Sequence, residues 1–99
     1  MTIIKSILEQ LENASHPVGK ILRKGNEFKV LVIGFKAGME LKEHQSKLPA
    51  QLTVLKGQVI YRTGETQIQL NQYDELEIPI NVLHAVEAEK DSLCLLIQG

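Results

Sequence analysis

Two histidines, His44 and His84, stand forty residues apart, each inside a distinctive frame. The first frame runs Gly38-Met39-Glu40-Leu41-Lys42-Glu43-His44-Gln45-Ser46 and closes on Gly57. The second runs from Tyr73 and Asp74 through Pro79 and Asn81 to His84. An imidazole is the side chain best suited to two kinds of chemistry near neutral pH. Its bare nitrogen ligates zinc-like metals, and its titration lets it act as a general base. The other reactive types here are less promising. Cys94 is the single cysteine and sits among Leu93, Leu95 and Leu96, as a small core residue would. His16 adjoins Pro17 and reads as a solvated loop residue. Tyr61 reads equally as a pocket residue or core filler, and Tyr73 as the cover of a barrel end. Glu40 and Glu43 precede His44, but Glu43 has the wrong parity for secure entry to a pocket with it.

The elements that must position these residues follow from periodicity. Ile3, Ile4, Ile7, Leu8 and Leu11 recur at helical spacing, with Thr2 as an N-cap and a breaker at Ser15-His16-Pro17. This predicts an amphipathic helix over residues 2–13. Strands are expected at 18–24, 28–35, 50–56, 58–62, 66–70, 74–78, 83–89 and 93–97, separated by turn residues. Residues 1–17 then form a helix and connector, and 18–99 one all-β domain of the sandwich or barrel kind. In the strand carrying His84, Val86 and Ala88 share its inward face.

Composition excludes some functions. The 11 basic and 12 acidic residues nearly cancel, no basic run occurs, and only 4% of residues are aromatic. Neither a nucleic-acid surface nor a base-stacking platform fits. No segment approaches the roughly 20 apolar residues of a membrane span, and the N-terminal run has no signal-peptide core. The expected setting is the cytoplasm.

The two frames together resemble the cupin family. Gly38, five residues, His44, one residue, Ser46, three residues, Ala50, six residues and Gly57 follow its first motif in spacing. Tyr73, five residues, Pro79, one residue, Asn81, two residues, His84, three residues and Ala88 follow its second. The similarity covers about residues 28–97 and implies a small double-stranded β-helix, or jelly-roll, barrel behind a short helix. It also implies a metal centre of three histidines and one glutamate. His44 and His84 match that set, but Ser46 stands in the slot of the second histidine and Ala50 in that of the glutamate. Asn81 and Tyr73 occupy glycine slots. Asn tolerates a left-handed backbone better than most residues.

Two imidazoles alone chelate zinc, iron, manganese or nickel poorly. Gln51 lies one position from the glutamate slot, although strand parity aims it outward unless a bulge shifts the register. The leading expectation is a non-enzymatic cupin that binds a small ligand in a pocket formed by His44, Ser46, His84 and Gln51. Such a protein would hold metal only sub-stoichiometrically. The alternative is a metal-dependent enzyme of dioxygenase or isomerase type, with Gln51, water or substrate completing a His44–His84 site. A sensor domain acting through a partner, and metal-free base catalysis, stand further back. A homodimer is expected as well. Residues 28–35 are apolar on both faces, and Leu31, Ile33 and Phe35 would need a partner if Val30 and Val32 took the barrel side.

Overall fold

The computed structural model describes residues 2–99. Helix α1 (Ile3–Leu11) precedes β1 (Val18–Lys24), β2 (Lys29–Phe35), β3 (Glu40–His44), β4 (Ala50–Lys56) and β5 (Gln58–Arg62). Then come β6 (Gln67–Asn71), β7 (Glu75–Ile78), β8 (His84–Ala88) and β9 (Ser92–Gln98). The strands form two antiparallel sheets, in the orders β1-β2-β9-β4-β7 and β3-β8-β5-β6. Apart from the β1-β2 and β5-β6 hairpins, neighbours in each sheet are distant in sequence, which is the jelly-roll connectivity the motifs implied. No described helix is long and apolar enough to cross a membrane.

Alternation along the strands builds the core. Ala50, Leu52 and Val54 of β4 are buried while Gln51 and Thr53 between them are half-exposed. Across the sandwich, Val59 and Tyr61 of β5 and Val86 and Ala88 of β8 point inward to meet them. A second, smaller cluster lies outside the barrel, where Ile7 and Leu11 of α1 cover Val32. The helix sits so close to β2 that a methyl group on Gly34 would come within 2.7 Å of both Ile7 and Leu11.

Several expectations need correction. The helix is shorter than residues 2–13, because Glu12 and Asn13 already bond in tight three-residue turns to Glu9 and Gln10. Thr2 has the extended backbone of an N-cap, but its side chain makes no capping bond. Strand β3 was not foreseen. Most of its side chains face solvent, and its sequence ELKEH carries no apolar alternation.

The strand expected to need a partner is covered within its own chain. Ile33 and Phe35 fill the barrel core, with Leu31 packed against it, while Val32 lies under the helix. Ile33 is therefore no dimer contact. Ile33→Asp buries a carboxylate among apolar side chains and should cost on the order of 4 kcal/mol. The expected product is unfolded or insoluble protein, checked by circular dichroism of the soluble fraction. A folded variant with near-native stability would contradict this packing.

Tyr73 covers nothing. It is 76% exposed and has φ of 72°, a conformation that strains any side chain with a Cβ. The turn is fixed by Tyr73 N–H donating to the Val54 carbonyl at 2.7 Å and Asp74 N–H to that of Asn71 at 3.0 Å. A glycine keeps both of these backbone bonds, relieves the strain and gives up a ring that stands mostly in water. Tyr73→Gly should therefore stabilise the fold by about 1 kcal/mol, measurable as a higher urea midpoint. A lower midpoint would show that the tyrosine ring packs usefully against the turn after all.

Candidate functional site

His84 opens β8, and His44 closes β3 directly opposite it. The pairing is produced by an irregularity in β3. Leu41 faces Val86, so an unbroken ladder would set Glu43 opposite His84. A bulge between Leu41 and His44 absorbs one residue and brings the imidazole there instead. Bulges often re-aim a side chain beside a site in this way. Glu43 is left exposed to solvent.

The two imidazole rings lie 4.2 Å apart between centroids, tilted by 58°. Each is oriented by its own chain. His44 Nδ1 lies 2.8 Å from the Lys42 carbonyl, and His84 Nδ1 lies 2.9 Å from that of Val82. A carbonyl only accepts, so in both rings Nδ1 carries the proton and donates. In the neutral rings this leaves both Nε2 atoms bare, as paired acceptors. His84 is 3% exposed, whereas His44 is half-exposed at the rim. Burial pushes the His84 pKa down from its ordinary value. The Val82 carbonyl opposes that shift, and His44 adds to it.

Tyr61, open to two readings from sequence, serves both. It is buried in the core and stacks on His84, with centroids 5.6 Å apart and planes at 27°. Desolvation raises its phenol pKa. Ser46 is half-buried on the loop after β3. Its Oγ accepts the Leu48 N–H at 3.1 Å, and its carbonyl accepts the Asn81 N–H at 2.8 Å. Thus Ser46 and Asn81 join the two motif loops. Asn81 has φ of 59°, the left-handed turn its glycine slot requires.

Gln51 does not join the histidines. The β4 register is regular at that point, so the residue faces outward, and its Nε2 donates to Glu75 at 3.0 Å. Ala50 is buried in the core and offers no donor. Among the described residues no group of three or more His, Cys, Asp or Glu side chains is arranged to hold a metal ion. The donor set is two neutral imidazoles without a carboxylate, which does not fit the divalent centre implied by the family resemblance.

No family model and no curated protein matches the sequence. Solved structures match the fold closely. A cupin superfamily protein from Desulfitobacterium hafniense DCB-2 superposes with a TM-score of 0.81 at 17% identity, covering 87% of this chain and 79% of that one. An RmlC-like cupin from Desulfovibrio desulfuricans gives 0.79 at 26% identity, with 85% and 82% covered. KdgF from a Halomonas species gives 0.78 at 19% identity, with 87% and 82% covered. With two interleaved antiparallel sheets, a histidine from each motif facing across one ladder, and these structural likenesses, the chain has the fold of small RmlC-like cupins.

Proposed function

We propose that this cupin is a binding protein rather than an enzyme, and that it takes a small ligand with two hydrogen-bond donors, such as a diol, at His44 and His84. The observation that carries this reading is the fixed tautomer of both rings. With the two rings 4.2 Å apart between centroids, their bare Nε2 acceptors are satisfied by a molecule that presents one O–H to each. Tyr61 supplies a flat wall behind His84, and Leu48 and Ile80 lie exposed on the loops that flank the pair. A few convergent polar groups with apolar surroundings are the usual make-up of a small-ligand site. Divalent-metal catalysis draws no support from this donor set.

The test uses glycerol and a panel of monosaccharides as probes, with the imidazole nitrogens read by NMR. Binding should shift both Nε2 resonances and leave both Nδ1 protons in place. His44→Phe and His84→Phe should each abolish the response. Purified, untagged protein that retains one transition metal per chain would overturn the reading in favour of a metal enzyme.

A further inference from the structure

Core packing accounts for the ring of Tyr61 but not for its hydroxyl. The side chain is 4% exposed, in a cluster whose other buried members are apolar side chains and the Cys94 thiol. Phenylalanine would fill that place without taking a hydroxyl out of water. A buried tyrosine usually ties its O–H to a partner. Among the described residues Tyr61 Oη has none. Burial alone raises the phenol pKa, with no hydrogen bond offsetting it, so the group remains a proton donor well above neutral pH.

The same holds for the buried histidine beside it. His84 Nδ1 is engaged by the Val82 carbonyl, and Nε2 has no partner among the described residues. Yet none of the described residues leaves a fully enclosed side-chain nitrogen or oxygen unbonded. Tyr61 Oη and His84 Nε2 therefore each reach open space, although their residues are only 4% and 3% exposed. Strand register sets them side by side. Tyr61 pairs with Val86, two residues along β8 from His84, so both side chains leave the inner face of one sheet. The strand order β3-β8-β5 then gives a row of three rings, His44, His84 and Tyr61, with successive centroids 4.2 and 5.6 Å apart.

We propose that Tyr61 Oη is the third polar contact of this site and sets its ligand class: an uncharged compound with a carbonyl beside a vicinal diol. This rests on the two-histidine reading above and adds to it. Along the row the protein offers an acceptor, an acceptor and a donor. The complement is one hydroxyl to each Nε2 and a carbonyl oxygen to the phenol. A carboxylate fits poorly, because the histidines present lone pairs to it. The one arginine of β5, Arg62, points outward to Glu40 and Glu87. A plain diol leaves the phenol desolvated and unpaired.

The test titrates untagged protein with two matched probes. One is a butanone carrying a vicinal diol next to its carbonyl; the other is the butanediol in which a methylene replaces that carbonyl. Imidazole nitrogen shifts report occupancy of the histidine pair by both. Native protein should bind the ketone about 10-fold more tightly than the diol. Tyr61→Phe deletes only a hydroxyl; it should stay folded by circular dichroism and bind the two probes alike. The carbonyl-carbon resonance of the ketone should move downfield on native protein and keep its free position on the variant. Equal affinity of native protein for both probes overturns this inference and leaves the two-histidine reading standing. So does a preference that survives in Tyr61→Phe, or a carbonyl resonance that native protein does not shift. Binding of neither probe overturns both.

Discussion

Replacing His84 with phenylalanine should yield a folded barrel that loses less stability in acid than the native protein and no longer responds to ligand. The native imidazole is buried, and its pKa lies below the ordinary histidine value, chiefly through desolvation. In the unfolded chain it titrates near pH 6.5. As pH falls through that value, the unfolded state takes up a proton that the folded state refuses, so stability drops until His84 itself titrates. The full contribution is present above the unfolded pKa and is lost below it. Phenylalanine keeps the ring against Tyr61 and removes the proton site. It leaves the Val82 carbonyl without its partner, a cost of about 1 kcal/mol that does not depend on pH. Urea unfolding of both proteins at pH 7 and pH 5 checks this, with the carboxylates common to both cancelling in the difference. Identical acid losses in the two proteins would show that His84 is not the titrating group.

The histidine pair was legible before the fold because motif spacing survives when identities change. Asn81 keeps the left-handed turn, and the β8 parity follows from alternating burial, so the inward set His84, Val86, Ala88 could be read directly, whereas Gln51, expected in the pocket, follows its strand parity outward to Glu75. What could not be read was local irregularity. The β3 bulge shifts His44 into place using Lys42 and Glu43, which resemble any solvated loop. Tyr73 adopts a backbone that sequence preference argues against, because the hydrogen bonds of its turn outweigh the strain of one residue. The apolar run at 28–35 misled for another reason. Periodicity reports that both faces of a strand are covered, not whether the cover comes from the same chain. Here the barrel takes one face and α1 the other.

That division of the core leads to the second large effect, at Gly34. The residue sits in the middle of β2's pairing with β1 and β9, where a β-branched residue would normally be favoured. Yet a Cβ there would lie 2.7 Å from Ile7 Cγ2 and 2.7 Å from Leu11 Cδ1. Both neighbours are buried helix residues that have Val32 beneath them and cannot simply swing aside. Gly34→Val should therefore lift α1 from the sheet. Re-exposing Ile7, Leu11 and Val32 would forgo roughly 1.5–3 kcal/mol for each side chain. The barrel core is a separate cluster built from Phe35, Val54, Val59 and Cys94, so it should survive the change. The expected variant has native strand signal, unprotected α1 amides in hydrogen exchange and a cleavable N-terminus. Gly34→Ala should show a smaller version of the same effect. Full protection of α1 in Gly34→Val would mean that the helix can shift along the sheet without loss, and that the close packing at Gly34 does not hold it in place.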